Sequence, residues 1–231
     1  MVVLITGGAR GIGLEITNYL LSMGHTVYLN YLTSVDNANK LKNNYPNQVA
    51  LTHGDITDED YIKNIINQIK NEQGHLDLLI NNACFEDDDL VINKTKESFV
   101  KELNTNLVAS FLLSKYYNEV FNKGMIINIL STDGVDTYNE YNFGYAASKA
   151  GLLNLTKSMA FSLKDFKVYG LMLNYVNTDS VKSMDEDYLK HELTRINQKE
   201  LIELTTVIKH LDKLINNNYE SGYIERVDNN E

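Results

Sequence analysis

The chain has 231 residues, of which 43% are hydrophobic and 23% charged, a composition typical of one globular core and not of a disordered chain. Its formal net charge of −10 disfavours nucleic acid as a main partner. A single cysteine, Cys84, excludes an internal disulfide, and no apolar run approaches the ~20 residues of a membrane helix, so we expect a cytoplasmic protein without a membrane partner.

Short apolar runs rich in β-branched residues alternate with longer amphipathic stretches along the chain. This alternation is typical of βαβ units, which build a parallel sheet with helices on both faces. No repeat or linker interrupts it, so we predict one α/β domain over residues 1–231, with a doubly wound parallel sheet. The predicted strands are Val2–Thr6, Thr26–Tyr31, Val49–His53, Leu76–Asn81, Met125–Leu130, Phe166–Tyr175 and Tyr223–Val227.

The first predicted strand leads into a glycine-rich turn, Thr6–Gly13, which opens a helix. Glycines let the backbone approach a pyrophosphate, while free N–H groups at the positive helix end face the anion. The turn therefore predicts a dinucleotide site; the alternative, a tight connection without a ligand, is disfavoured by the βαβ context. The predicted contacts in this turn are Gly7, Arg10, Gly11, Ile12 and Gly13.

The end of the second strand bears on the choice of coenzyme. An acidic residue there would bind the ribose 2′-hydroxyl and select NAD, but Asn30, Tyr31 and Leu32 occupy the place. Arg10 can face a 2′-phosphate, so we predict NADP(H) in preference to NAD(H), with Tyr31 as a further contact. The alternative is that Arg10 is a solvated surface charge.

An apolar stripe after the third strand predicts a helix that begins after Thr57. Thr57 and Asp60 stand at the spacing of a capping box, in which two side chains cap the first turn reciprocally. The apolar positions of the stripe are Tyr61, Ile62, Ile65, Ile66 and Ile69.

Tyr145 and Lys149 stand four positions apart, on one face of a predicted helix. A cation about 4 Å from a phenol at an effective dielectric of ~20 contributes ~4 kcal/mol, enough to bring the phenol pKa from about 10 toward neutrality. Ser131 ends the fifth strand, at the sheet edge where such folds bind ligands, so its hydroxyl can bind a substrate carbonyl. The alternative for Tyr145 and Lys149 is a pair of exposed side chains on a helix. The alternative for Ser131 is a serine in the turn that ends a strand.

Together these residues resemble the classical short-chain dehydrogenase/reductase family over nearly the whole chain, especially members similar to 3-oxoacyl-[acyl-carrier-protein] reductases. Thr6–Gly13 is similar to the family motif TGxxxGIG, and Tyr145 with Lys149 matches YxxxK. Ser131 matches the catalytic serine, with Thr132 a less suitable substitute, and Asn106 matches the helix asparagine of the catalytic tetrad.

The resemblance also supplies coenzyme contacts outside the glycine turn. Asp55 matches the aspartate that holds the adenine amino group, Thr178 matches the threonine that meets the carboxamide, and Asn81–Ala83 matches the start of NNAG. The contacts implied in this way are Asp55, Ile56, Asn82, Ala83, Tyr145, Lys149, Val176 and Thr178.

Three positions depart from the family pattern. Cys84 replaces the glycine after Asn-Asn-Ala, and we interpret it as a small buried thiol and not as a reactive one. Leu173–Asn174 replaces a Pro-Gly pair. Ser221–Asn230 is similar to the terminal TGxxxxVDGG strand with both glycines exchanged.

The resemblance implies a single-domain Rossmann-type fold and NAD(P)(H)-dependent reduction of a carbonyl, or oxidation of the alcohol, with Tyr145 as general acid/base and no metal. It also implies a homodimer or homotetramer. The alternatives are a non-catalytic NADP-sensing protein on the same fold, and an epimerase or dehydratase, whose substrate domain is usually longer.

The segment Lys182–Lys199 has dense charges and irregular apolar spacing, and we interpret it as a lid, spanning about 178–200, or an exposed helical insertion. Its acidic run, Asp185–Asp187, would disfavour an acidic carrier protein, so a small-molecule carbonyl or alcohol is the preferred substrate.

Overall fold

The computed structural model describes residues 1–227 and contains a seven-stranded sheet. All strand pairs are parallel, in the order β3-β2-β1-β4-β5-β6-β7. The strands are β1 (Val2–Ile5), β2 (Thr26–Tyr31), β3 (Val49–His53), β4 (Leu78–Asn81), β5 (Gly124–Ser131), β6 (Phe166–Leu173) and β7 (Ile224–Val227). The helices are α1 (Gly11–Ser22), α2 (Val35–Asn44), α3 (Glu59–Gln73), α4 (Lys96–Leu103), α5 (Ala109–Phe121), α6 (Phe143–Ser162), α7 (Asp179–Lys182), α8 (Glu186–Arg195) and α9 (Leu204–Asn216).

Helices cover both faces of the sheet, which confirms the predicted Rossmann-type doubly wound fold. Residues of α1, α2 and α9 pack on one face, and residues of α3, α5 and α6 pack on the other. The central strands are buried on both sides, which explains their nearly continuous apolar sequences. Each buried Leu, Ile or Val contributes about 1.5–3 kcal/mol to this packing.

The site is placed by the reversal of strand order between β1 and β4. The chain builds outward from β1 to β3 and then returns to β4, on the other side of β1. At such a switch point the carboxyl ends of the two strands open a crevice in which ligands bind. The glycine turn follows β1 and Asn82 follows β4, so both predicted coenzyme segments lie at this crevice.

Several predicted strand boundaries are wrong by a few residues. β6 ends at Leu173, two residues before the predicted end at Tyr175. The backbone of Tyr175 is hydrogen-bonded to the Gln198 side chain and not to a neighbouring strand, since Gln198 Oε1 accepts from Tyr175 N at 3.2 Å and Gln198 Nε2 donates to Tyr175 O at 2.8 Å. β5 extends from Gly124 to Ser131 because it pairs with β6 over that whole length. The other differences, of one or two residues, are at the end of β1 and the starts of β4 and β7.

The predicted capping box at Thr57 is also wrong. Asp58 caps α3, since its Oδ1 accepts from Asp60 N at 2.8 Å and Tyr61 N at 3.2 Å. The Thr57 hydroxyl donates instead to Asp55 Oδ1 at 2.8 Å. The carboxylate one position later reaches the same free N–H groups, so the helix begins at Glu59.

The segment interpreted as a lid or helical insertion is helical, forming α7 and α8. Within residues 1–227, no helix has both the length and the apolar character needed to cross a bilayer. Residues 228–230, which complete the terminal family motif, lie outside the described residues.

Candidate active site

The glycine turn brings the backbones of two strand ends into contact. Gly7 and Gly11 have φ of +62° and +52°, a region that favours glycine. A Cβ on Gly13 would lie 2.3 Å from Gly7 O, and one on Gly7 would lie 2.9 Å from Ala83 Cα. Arg10, at the N-cap of α1, makes no side-chain capping bond, so the first N–H groups of the helix stay available to an anion.

The turn after β4 is locked to the glycine turn by hydrogen bonds. The N–H groups of Asn82 and Ala83 both donate to Thr6 Oγ1 at 3.0 Å. The Asn82 amide donates to Thr6 O at 2.9 Å and to Gly7 O at 3.2 Å. These hydrogen bonds join the predicted contacts Gly7, Asn82 and Ala83 into one rigid cradle. A pyrophosphate can come close to the backbone of this cradle.

Asn30 is a positioning residue that the sequence reasoning missed. It is buried at the end of β2, where its Oδ1 accepts from Gly7 N at 3.3 Å. Its Nδ2 donates to Gly54 O at 3.0 Å and to Tyr61 Oη at 2.9 Å. Asn30 thus connects the turns after β1 and β3.

The predicted adenosine contacts lie at the ends of β2 and β3. Tyr31 is buried and its ring lies 5.1 Å from the His53 ring, whereas Arg10 is exposed. Ile56 is buried, and exposed Asp55 is held by two bonds of 2.8 Å, from the backbone N–H and hydroxyl of Thr57. Tyr31 and the Asp55 loop are adjacent, since Gly54 N donates to Tyr31 O at 3.1 Å.

Ser131, Tyr145 and Lys149 line one cavity of about 120 Å³ at the ends of β5 and β6. Lys149 is buried, its Nζ donates to Ile129 O at 2.8 Å, and the same atom lies 5.5 Å from the centre of the Tyr145 ring. The structure therefore brings the three predicted side chains together, next to the glycine cradle. The remaining lining residues are Ile12, Asn82, Cys84, Ile129, Leu130, Leu173 and Asn174.

The pKa of Tyr145 departs from the expected direction. Burial raises this pKa well above its usual range, and the charges of Cys84 and Glu86 raise it further. The hydrogen bond with Ser131 lowers it without offsetting the loss of solvent. The prediction of a pKa near neutrality is therefore wrong for this structure, because the burial of the phenol outweighs the contribution that lowers its pKa.

The structure separates Ser131 from the alternative Thr132. Ser131 Oγ lies at the cavity and accepts from Asp133 N at 3.2 Å. The Thr132 hydroxyl donates to Asn174 Oδ1 and accepts from Thr137 at 3.3 Å. Ser131 therefore has the better placed hydroxyl. Asn174, which stands at the position of the glycine in the family's Pro-Gly pair, anchors the turn that follows Ser131.

Asn106 lies in a π-helical turn, Asn104–Val108, between α4 and α5. Its buried amide forms two hydrogen bonds with Phe85, accepting from N at 2.8 Å and donating to O at 2.9 Å. Its Nδ2 also donates to Ser148 Oγ at 3.0 Å, and that hydroxyl donates to Tyr145 O at 2.6 Å. Asn106 thus joins the loop after β4 to the helix that carries Tyr145; π-helical turns frequently occur at functional sites.

The segment after β6 starts above the glycine turn. Thr178 caps α7, and its methyl group lies 4.0 Å from the position of a Cβ on Gly11. Val176 is buried and pairs with Ile202. Thr178 therefore lies at the glycine turn, whereas Val176 belongs to the hydrophobic core. Half-buried Cys84 lines the cavity, and burial raises the pKa of its thiol, which suits an unreactive side chain.

Helix α8 is held over the connection between Ser131 and Tyr145 by a buried carboxylate that the sequence reasoning missed. Glu192 accepts from Asn139 Nδ2 at 2.8 Å and from Arg195 Nη2 at 2.6 Å, and Tyr175 Oη donates to it at 3.4 Å. Tyr188, one turn earlier, accepts from the same Asn139 amide at 3.0 Å. No local spacing in the sequence indicates this contact, because Asn139 and Glu192 are 53 residues apart.

The acidic run of the lid has a local role at the start of α8. Asp185 Oδ1 accepts from Tyr188 N at 2.9 Å, and Glu186 and Asp187 lie in the first turn, where negative charge stabilises a helix. Among residues 1–227, no three His, Cys, Asp or Glu side chains are arranged to hold a metal ion.

The structure has a dinucleotide cradle at the switch point of the sheet, next to a cavity lined by Ser131, Tyr145 and Lys149. This combination is typical of nicotinamide-dependent oxidoreductases. The family model described as short chain dehydrogenase matches residues 1–189, so the chain belongs to this family. It is an NAD(P)-dependent oxidoreductase that acts on carbonyl or alcohol groups, and the alternative of a non-catalytic sensor is not favoured.

Curated relatives agree with this assignment. The chain is 30% identical to the 3-oxoacyl-[acyl-carrier-protein] reductase MabA of Mycobacterium tuberculosis in an alignment of length 190 that covers 80% of this chain and 72% of that one. It is 29% identical to the 3-oxoacyl-[acyl-carrier-protein] reductase FabG of Haemophilus influenzae in an alignment of length 231 that covers 96% of this chain and 93% of that one.

Solved structures show the same fold. ElxO with NADP bound superposes with a TM-score of 0.82 at 26% identity, covering 98% of this chain and 96% of that chain. An apo SCOR enzyme from Clostridium thermocellum superposes with a TM-score of 0.83 at 24% identity, covering 98% and 90%. ElxO has also been solved with a Tyr-to-Phe substitution and NADPH bound, with a TM-score of 0.81 at 25% identity over 97% and 96%.

Proposed function

We propose that the protein reduces a small-molecule carbonyl with NADPH, and that Asn106, Ser131, Tyr145 and Lys149 are its catalytic set. The shared cavity of Ser131, Tyr145 and Lys149 beside the glycine cradle is the observation that carries the proposal. The coenzyme, when bound, supplies a hydride to the carbonyl carbon.

Each member of the set has a distinct task. The Ser131 hydroxyl holds the carbonyl oxygen, and the Tyr145 hydroxyl donates its proton to that oxygen as the alcohol forms. The raised pKa keeps the phenol protonated at neutral pH, which is the form that reduction requires. Lys149 binds the ribose nearest the nicotinamide. Asn106 anchors a water that leads protons from solvent to Lys149.

The crevice fits NADP(H). The cradle in which a Cβ on Gly13 would clash with Gly7 O suits the pyrophosphate, and the end of β2 lacks an acid that would select NAD. Exposed Arg10 is available to a 2′-phosphate, and the relative ElxO is solved with NADP. The residues proposed to hold the coenzyme are Gly7, Arg10, Gly11, Ile12, Gly13, Tyr31, Asp55, Ile56, Asn82, Ala83, Tyr145, Lys149, Val176 and Thr178.

A homodimer or homotetramer in the cytoplasm completes the proposal, with residues 178–200 as the substrate lid. Apolar side chains exposed on helices support the assembly, because large apolar surface tends to be covered by a partner. These side chains are Val100 on α4, Phe111 on α5 and Phe161 on α6, with Val108 in the π-helical turn between the first two.

A fluorescence titration with NADPH, followed by coenzyme oxidation on a panel of carbonyl compounds, tests the proposal. We expect saturable binding and turnover of at least one neutral small carbonyl. A purified protein that binds neither NADPH nor NADH would contradict it.

A further inference from the structure

Glu102 is a buried carboxylate at the end of α4, close to the helix that carries Tyr145. Its side chain has no exposure to solvent, and its Oε2 lies 2.8 Å from Nζ of Lys94, whose side chain is 5% exposed. Burial of such a pair removes both charges from water, a cost that offsets most or all of their mutual attraction. Stability alone therefore does not explain the pair, whereas the contacts that its carboxylate makes do.

The carboxylate holds the loop that follows β4. Glu102 Oε1 accepts from Asp87 N at 3.2 Å, and Lys94 Nζ donates to Asp87 O. Both backbone groups of Asp87 are therefore fixed by one ion pair. Phe85, two residues earlier, is fixed in the same way by the amide of Asn106.

The same carboxylate lies against the first turn of α6. Gly144 is buried there, directly before Tyr145, and a Cβ on Gly144 would lie 2.7 Å from Glu102 Cδ and closer still to Oε2. A free side chain can move away from such a methyl group, but this one is held by Lys94 and by Asp87 N. Glycine therefore admits the carboxylate to the backbone next to the proposed general acid.

The N-terminal end of α6 has no charge or capping bond of its own. Asn142, the N-cap residue, makes no side-chain capping bond, and the first turn of α6 contains no acidic residue. Negative charge next to the first turn stabilises a helix, because free N–H groups give that end a partial positive charge. Glu102 supplies this charge from another helix.

Glu102 and Asn106, four residues apart, connect the same two segments. Asn106 joins the loop after β4 to α6 through Ser148. Glu102 joins that loop to α6 through its contact with Gly144, next to Tyr145. We propose that Glu102 is a positioning residue, which fixes the first turn of α6 and thereby the place of the Tyr145 hydroxyl relative to the substrate carbonyl. This inference rests on the proposed reductase function, to which it adds a residue outside the catalytic cavity.

Gly144→Ala and Glu102→Asp test this contact, alone and together, in single-turnover oxidation of NADPH by a carbonyl compound that the wild type reduces. Gly144→Ala places a methyl group against the carboxylate, so we expect the rate to fall by about a hundredfold, as for a displacement of about 1 Å at the reacting groups. The dissociation constant of NADPH should stay within about threefold, because the glycine cradle shares no residue with this contact.

Glu102→Asp alone draws the carboxylate back from α6, and the rate should fall by about tenfold. In the double variant the shorter side chain leaves room for the methyl group, so the rate should be at least about tenfold higher than in Gly144→Ala. The same change thus lowers the rate in one background and raises it in the other, a reversal that a general loss of stability does not produce. If Gly144→Ala does not fold, the proposal requires the double variant to fold and to turn over.

Glu97→Asp shortens an exposed carboxylate in the first turn of the same helix, α4, and serves as the matched control, with the wild-type rate expected. A rate within about threefold of wild type in Gly144→Ala, or a double variant no faster than Gly144→Ala, would overturn the proposal. Failure of the reductase function is a different result, because it appears as the absence of coenzyme binding or as turnover that survives loss of the Tyr145 hydroxyl.

Discussion

The two sides of the crevice are held together by different kinds of contact. On the coenzyme side, backbone lies against backbone, as at Gly7 and Ala83, and the buried Asn30 amide ties the turns together. On the substrate side, side chains from distant segments hold one another, as Glu192 holds Asn139. A backbone cradle suits a constant ligand, whereas a side-chain enclosure can change with the substrate without altering the fold.

The hydroxyl of Tyr145, where the two sides meet, gives the largest expected effect. Tyr145→Phe should lower kcat by roughly a thousandfold, because the general acid is lost, while the coenzyme cradle remains intact. NADPH titration and steady-state turnover measure the two outcomes separately. Tyr138→Phe, at a side chain that is 76% exposed, is the control and should keep full activity. Turnover within a few fold of wild type in Tyr145→Phe would contradict the assigned role.

Asn106 tests whether the substrate side depends on side-chain anchors. Asn106→Ala leaves the N–H and C=O of Phe85 without their partner, which costs about 1–3 kcal/mol for each buried group and displaces the loop after β4. We expect a lower Tm and a loss of kcat/KM of roughly a hundredfold, with a smaller change in NADPH affinity. Asn104→Ala, at an exposed position of the same π-helical turn, should change neither. Equal losses in the two variants would show that the turn itself, and not the amide, matters.

The same division explains what the sequence could predict. The glycine turn and the Tyr145–Lys149 pair are local patterns, since each is set by the spacing of residues within one strand-helix unit or one helix. The contact of Glu192 with Asn139 spans 53 residues, so no local periodicity indicates it. The prediction for the pKa of Tyr145 failed for a related reason. The spacing placed the cation on the correct face, whereas the pKa is raised mainly by burial and further by the charges of Cys84 and Glu86 from another loop, and neither cause follows from the local sequence.

The raised pKa of Tyr145 makes the two reaction directions respond differently to pH. Oxidation of an alcohol needs the phenolate, whose fraction grows about tenfold per pH unit below the pKa, so kcat for oxidation should rise from pH 7 to pH 9 without a plateau. Reduction uses the protonated phenol, so no loss from Tyr145 is expected over that range. Glu86, whose pKa is raised to about 8, can add an inflection that Glu86→Gln removes. A plateau of oxidation below pH 8 in Glu86→Gln would mean that the pKa of the phenol is low after all.

The smallest effect concerns a coenzyme contact that depends on an exposed, flexible side chain. Arg10 is exposed at the N-cap of α1, so its removal should leave the Gly7–Ala83 approach unchanged and take away only a charge near a 2′-phosphate. Arg10→Ala should weaken the binding of NADPH by about tenfold and change the binding of NADH very little. Paired fluorescence titrations measure both dissociation constants. Lys40→Ala, at an exposed position of α2, is the control for a general loss of positive charge. If Arg10→Ala weakens the binding of NADPH and NADH equally, Arg10 does not select between the two coenzymes, and the backbone cradle is what holds them.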